Sequence, residues 1–178
     1  MWVEILLLSN LAKRPAHGYE LRQRVEAGSG YTLSNNSLYP VLRRFHDAAA
    51  VTRTPQQQAN RPVRHVYEIT DVGRELLHDM LADLPDDLAG ESAEFLARLA
   101  SFDRLDIAER LGVLDARLAA LDRLRTRLHG PAEEAPPDGW SRLVLDEVLR
   151  RTHDEQHWLA AVRVRAESTQ EEKTDDDR

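Results

Sequence analysis

Cysteine is absent from this 178-residue chain, so disulfides and thiolate chemistry are excluded and the redox compartment is left open. A long apolar run is also missing. The richest one, Met1-Trp2-Val3-Glu4-Ile5-Leu6-Leu7-Leu8, is too short to span a bilayer, carries an acid and lacks a basic leader. It reads as a buried helix of a cytoplasmic protein, with no membrane partner. No glycine-rich phosphate loop, nucleophile elbow or paired-carboxylate signature is present, so no catalytic residue and no cofactor is assigned and the chain reads as a non-enzyme. A positive balance is lacking too, since the formal net charge is −7.

That deficit is unevenly spread. From Asn35 to Tyr67 there are five arginines (Arg43, Arg44, Arg53, Arg61, Arg64) against one acid, Asp47. From Pro85 onward acids outnumber bases by 22 to 14. Affinity for a polyanion follows the local basic face and not the sum, so the middle of the chain is the place to look for one.

The apolar spacing there is helical. Leu7, Leu8 and Leu11 form the stripe of a first helix, about Val3 to Ala12, stopped by Lys13-Arg14-Pro15. His17 to Gly28 is a second helix, ended by Gly28-Ser29-Gly30. Ser34, Asn35 and Asn36 are three N-cap candidates for a third, in which Leu38, Leu42 and Phe45 make one buried face. Pro40 fits if that helix starts near Asn35–Ser37, because it then deletes at most one backbone bond. Ala48-Ala49-Ala50 ends the helix without a glycine, which implies a loose end or a slightly strained one. Val51 to Thr54 reads as a strand, Pro55 to Pro62 as a polar tip, and Val63 to Ile69 as the returning strand, packing through Val66 and Ile69. Thr70 caps a fourth helix that runs through Leu76, Leu77, Met80 and Leu81 to Pro85.

A helix pair followed by a basic hairpin is the layout of a winged helix. At His17-Gly18-Tyr19-Glu20, Ser37-Leu38-Tyr39-Pro40-Val41-Leu42, Arg61-Pro62 and Tyr67-Glu68-Ile69-Thr70 with Gly73 after it, the sequence resembles the PadR family of bacterial transcriptional regulators. The resemblance covers about the first eighty residues. It departs at Asn36 and Ala49, where the family usually has glycine, and at His46-Asp47-Ala48, where a Glu-rich helix end is usual.

The expected fold is mainly α. Residues 1–84 form a winged helix-turn-helix domain with a two-stranded β wing, 85–166 a helical dimerisation domain, and 167–178 a disordered acidic tail. Beyond Pro85, Phe95, Leu96, Leu99 and Phe102 read as one apolar cluster. Ile107, Leu111, Leu114, Leu118 and Leu121 read as a heptad seam that meets Arg125 and resumes at Leu128. Gly130 to Gly139 reads as a loop. A last helix from Trp140 to about Ala166 carries Leu145, Leu149, Thr152, Gln156 and Leu159 on one side.

On a winged helix, the basic stretch becomes a candidate interface with double-stranded DNA. Ser37 and Tyr39 offer hydroxyls to phosphate, and Arg43 can reach guanine O6 and N7. Asn35 and Asn36 are candidates for reading adenine or for capping. Arg44 lies on a neighbouring flank. Tyr19 is expected to bury its ring and expose its oxygen. Arg61 and Arg64 belong to the wing, with phosphate or minor-groove contact as their role, while His65 points the other way and packs.

The resemblance implies a homodimeric repressor on a palindromic operator. It also implies a small aromatic or drug-like effector near the dimer interface, with Trp2, Phe95, Trp140 and Trp158 as candidate lining or as plain core. Two other readings compete. His153 and His157 stand four apart, half of a zinc site, but no third ligand is evident and no metal is assigned. A winged helix can also serve as a protein-interaction module without DNA.

Overall fold

The computed structural model describes residues 1–56, 64–129 and 138–168. It contains α1 (Trp2–Leu11), β1 (Ala16–His17), α2 (Gly18–Ser29), α3 (Asn35–Asp47), β2 (Val51–Gln56), β3 (Arg64–Ile69) and α4 (Asp71–Ala82). These are followed by α5 (Ser92–Leu99), a 3-10 turn at Phe102–Arg104, α6 (Ile107–Leu128) and α7 (Gly139–Ser168). The chain forms two compact units. One holds residues 1–82 and 96–104, and the other 83–95 and 105–168 of the described residues. The wing tip at 57–63, which includes Arg61, the loop at 130–137 and the tail beyond Ser168 lie outside the described residues. Glu167 and Ser168, expected in the tail, are the last two residues of α7.

In the first unit α1 is buried on all sides from Ile5 to Ser9 and not along one stripe, because α2, α3, α4 and β3 all pack on it. Leu21 and Val25 of α2, Leu38, Leu42 and Phe45 of α3, and Leu77 and Leu81 of α4 complete this core. The Ser9 and Ser101 hydroxyls are bonded at 3.1 Å inside it, satisfying two buried polar groups.

The sheet has three strands, in the order β1-β3-β2, where two were expected. Ala16 and His17 pair antiparallel with Tyr67 and Val66, so His17 belongs to a strand and caps α2 from outside. β2 pairs with β3 from Val51↔Ile69 to Gln56↔Arg64. Pro55 therefore sits within β2, opposite His65, and not at the tip. β2 is an edge strand, where a residue without an N–H is tolerated. Tyr67 and Ile69 are the buried pair of β3, while Val66 lies on the opposite, half-exposed face with Arg64 and Glu68. The expected pairing of Val66 with Ile69 fails because three residues apart is an odd step in a period-two strand.

The end of α3 is strained. The Ala49 N–H donates to the His46 carbonyl at 3.0 Å and the Ala50 N–H to the Phe45 carbonyl at 2.8 Å, the bond pair of a Schellman turn. Its left-handed residue is Ala49, at φ 56°. An alanine there costs about 1–2 kcal/mol of backbone strain. Glycine would remove the strain but give back about 0.4–1 kcal/mol in unfolded-chain entropy. Ala49→Gly is therefore expected to stabilise the first unit by roughly 0.5–1 kcal/mol, read as a rise of a few degrees in thermal midpoint. A lowered midpoint would contradict this account.

The second unit is built on the antiparallel pair α6 and α7. Asp106 and Glu109 close a capping box at the start of α6. Its buried face is Val113, Leu114, Arg117, Ala120 and Leu121. The heptad seam is shifted from this face, and Ile107, Leu111 and Leu118 are only half-buried. The reason is Arg117, whose side chain is 2 % exposed. It donates to Glu155 of α7 at 2.8 and 2.9 Å, to the Ala89 carbonyl at 2.8 Å and to Ser92 Oγ at 2.9 Å. On α7, Thr152, Leu159 and Ala166 are buried at seven-residue steps, with Leu145, Leu149 and Gln156 half-buried beside them. Of the expected apolar cluster, Phe95 is buried in this unit. Leu96, Leu99 and Phe102 belong to the first, and Leu96 is 41 % exposed. No helix among the described residues is long and apolar enough to cross a membrane.

Candidate nucleic-acid interface

The candidate interface begins at the N-terminus of α3. Ser34 is the cap: its Oγ accepts from the Ser37 N–H at 3.1 Å and pairs with the Ser37 hydroxyl at 3.0 Å. Asn35 and Asn36 are thereby released from capping. They stand exposed in the first turn, where free N–H groups and the helix dipole favour an anion. Asn35 Oδ1 accepts from Arg22 of α2 at 3.3 Å. Pro40 is the sixth residue of α3, so the bond it cannot make is the one to the Asn36 carbonyl.

Burial of Leu38, Val41, Leu42 and Phe45 turns Tyr39 and Arg43 outward. Arg44 is directed elsewhere, paired with Glu4 of α1. Tyr19 differs from expectation. Its side chain is 61 % exposed, with the Arg22 guanidinium 5.4 Å from the ring centre, because helix α2 faces the core through Leu21 and Val25. Gln23 Nε2 donates to the Tyr19 oxygen at 2.9 Å, and a phenol that accepts one bond can still donate its own proton to a phosphate.

Two adjoining cavities share Tyr39 and Tyr67. The larger, about 610 Å³, is lined by His17, Tyr19, Glu20, Arg64 and His65 besides those two tyrosines and Gly18. Gly18 is what lets the Tyr39 ring lie on α2: a Cβ there would fall 3.0 Å from a ring carbon. The His17 ring donates from Nδ1 to the His65 carbonyl at 3.1 Å, tying β1 to β3. His65 itself is half-buried, as its strand parity implied. Among the described residues, Glu20 is the one carboxylate lining this cavity. A hydrogen bond from Arg24 foremost, with the charges of Arg24, Arg14 and His17, holds its carboxyl below the ordinary range. Its charge is thus compensated before any polyanion approaches.

The second cavity, about 440 Å³, is a groove between α3 and β2. Arg43, His46 and Asp47 line it from the helix, and Arg53 from the strand. Burial pushes the Tyr67 hydroxyl above its ordinary pKa, and the Arg53 guanidinium offsets part of that rise. The phenol therefore stays protonated. Arg53 was counted in the basic stretch but not singled out. The signal was its even spacing from buried Val51, which puts both on the face turned to α3. Arg22 was also missed, although three residues from Tyr19 is a shared helical flank.

The candidate aromatic residues fall into separate places. Phe95 and Trp158 meet edge to face at 6.3 Å, with the Arg117 guanidinium 5.8 Å from the Phe95 ring centre. Trp2 packs on Tyr31 at 4.7 Å in the first unit, and Trp140 is 85 % exposed. His153 and His157 are exposed on α7, and no group of three or more side chains able to hold a metal ion occurs among the described residues.

Three helices, a hairpin and a recognition helix presented beside a basic strand define a winged helix-turn-helix protein. Residues 7–79 match the model of the transcriptional regulator PadR-like family. The chain is 26% identical to the negative transcriptional regulator PadR of Bacillus subtilis over 168 residues, which is 88% of this chain and 92% of that one. Among solved structures it is similar to Bacillus subtilis PadR in complex with operator DNA, at 22% identity and a TM-score of 0.43, over 91% of this chain and 96% of that one. It is similar also to a PadR family transcriptional regulator from Eggerthella lenta, at 30% identity and a TM-score of 0.41, over 45% and 69%. It is residues 7–79, within the first unit, that carry the likeness to the PadR-like family of transcriptional regulators.

Proposed function

We propose that this protein is a DNA-binding repressor of transcription, acting in the cytoplasm as a homodimer on a palindromic operator. The observation that carries the reading is the convergence of Tyr19, Tyr39, Arg43 and Arg64 on two adjoining cavities, beside the capped N-terminus of α3. The full-length likeness to a negative regulator supports the repressor role. In this reading Tyr19, Ser37 and Tyr39 donate to phosphates, Arg43 reads a base edge, and Arg64 with Arg61 grips the backbone from the wing. Asn35 and Asn36, freed from capping, join the reading edge. Arg44 reaches DNA only by leaving Glu4.

Two-fold symmetry would set the two recognition helices about 34 Å apart, on successive major grooves. The exposed apolar side chains of α7, Trp140, Leu143 and Val144 among them, supply surface for the dimer contact. A small aromatic effector would find its best footing at Phe95 and Trp158, where a ring edge and a guanidinium are already together.

The test is electrophoretic mobility at several salt concentrations, with operator and random duplex. Arg64→Ala is expected to weaken binding to every sequence alike and to lower the salt slope by about 0.9. Arg43→Ala is expected to cost about 1–3 kcal/mol on operator and to relax specificity. Unchanged affinity in both variants, or failure of the parent protein to be retained on heparin at low salt, would leave the interaction-module reading in its place.

A further inference from the structure

We infer that Arg53, at the base of the wing, is a backbone-phosphate anchor and that Tyr67 is the residue that positions it. The inference rests on the DNA-binding reading above and adds two residues to it. Arg53 and Tyr67 are cross-strand partners in the β2–β3 register. Directly opposed residues on one sheet face have Cβ atoms about 4.5–5.5 Å apart. Both line the groove that also holds Arg43 and Tyr39. The Tyr67 side chain is buried, so its hydroxyl has a fixed place, whereas Arg53 is exposed and has a long stem to order. An arginine held at one end by a fixed acceptor loses less freedom when the other end takes a phosphate.

The charges of the groove agree with an anion. Arg43 and Arg53 bring two guanidiniums from two different elements. The carboxylate lining this groove, Asp47, has the His46 ring 3.7 Å away and stands at the C-terminal end of α3, with Arg43 one helical turn before it. The phosphate position is therefore nearer Tyr39, Arg43 and Arg53 than Asp47. In this proposal Arg53, on β2, takes the sugar-phosphate chain at the strand side of the groove, and Arg43, on the helix side, stays available to a base edge.

The experiment measures duplex affinity against salt for the full-length parent, Arg53→Ala, Arg53→Lys, Tyr67→Phe and the Arg53→Ala/Tyr67→Phe double variant, with thermal midpoints confirming folding. Arg53→Ala is expected to lower the salt slope by about 0.9, equally on operator and random duplex. It thereby removes about three- to four-fold of the affinity change between 50 and 200 mM salt. Arg53→Lys is expected to restore the slope. Tyr67→Phe is expected to weaken binding in the parent and to have no further effect when Arg53 is already alanine, since its action passes through that side chain. An unchanged slope in Arg53→Ala, while Arg64→Ala still lowers it, overturns the anchor and leaves DNA binding standing. Additive effects of Arg53→Ala and Tyr67→Phe overturn the positioning role. If Arg53, Arg43 and Arg64 variants all bind like the parent, the underlying reading fails instead.

Discussion

Gly73→Ala is expected to destabilise the first unit by roughly 3 kcal/mol, the upper end of the about 1–3 kcal/mol usual for overpacking a core. The sign is opposite to what helix propensity alone implies. Gly73 is the third residue of α4, and alanine inside a helix is ordinarily better than glycine by about 1 kcal/mol. Here a Cβ would stand 2.1 Å from the Ala50 carbonyl oxygen and 2.8 Å from Ile69 Cγ1. Neither neighbour can yield cheaply. The Ala50 carbonyl accepts from the Thr70 N–H at 3.1 Å, and Ala50 is itself held by the turn that ends α3. Thr70 is held as well, since its hydroxyl donates to the Ala49 carbonyl at 2.8 Å and accepts from the Gly73 N–H at 3.1 Å. Moving α4 away would break this junction of α3, β3 and α4. Chemical denaturation followed by helical circular dichroism gives the number. Gly28→Ala and Gly112→Ala are the controls, because nothing lies within 4 Å of a Cβ at either helical position. They should be neutral or stabilising by up to about 1 kcal/mol. A Gly73→Ala protein as stable as the parent would show that the close approach is absent.

Arg117→Ala is expected to cost about 3 kcal/mol in the second unit. Removing one partner of a buried ion pair typically costs about 3–5 kcal/mol, and the low end applies because Glu155 retains some water. The loss has three parts. Glu155 is left without its bidentate partner, the Ala89 carbonyl and Ser92 hydroxyl lose a donor, and the Phe95 ring loses its cation. Arg117 ties the segment from Ala89 to Phe95 to α6 at the Ala89 carbonyl, the Ser92 hydroxyl and the Phe95 ring, so the order of that segment should fall with that of the helix pair. Hydrogen exchange at Ala89–Phe95, alongside the unfolding midpoint, is the measurement. A double Arg117→Ala/Glu155→Ala variant should be destabilised by much less than the sum of the two singles, as groups in contact require. Additive losses would mean that the pair contributes nothing as a pair.

The positions of the elements were legible along the chain wherever local chemistry decides them. Ser34 was among the cap candidates, and the face of α3 followed from Leu38, Leu42 and Phe45. The cap at Thr70 and the stop at Gly30 were readable from residue type. So was the difficulty at Ala49, as an end lacking its glycine, although the choice between loose and strained needed the backbone angle. Of the candidate interface, the exposed positions of Tyr39, Arg43 and Arg64 followed from parity and motif. The exposure of Tyr19 was misjudged, because a tyrosine on an amphipathic helix has no signal of its own for which flank it takes. The engagement of Arg44 by Glu4 was hidden by a separation of forty residues.

Determined by the chain alone, then, were the local matters: periodicity, caps, breakers, the clustering of arginines between Asn35 and Tyr67, and with them the winged layout. These depend on neighbours within about one or two turns, so residue order is sufficient to read them. Only the tertiary structure decided the rest. Ala16-His17 is a strand because β3 supplies its hydrogen bonds, and Pro55 is admissible in β2 because that strand is an edge. Arg117 is buried because Glu155, Ala89 and Ser92 meet it from distant parts of the chain. Arg53 faces Arg43 because a hairpin register sets it there. Each is a contact between residues far apart in sequence, and its free energy exists only once the fold has brought the two sides together.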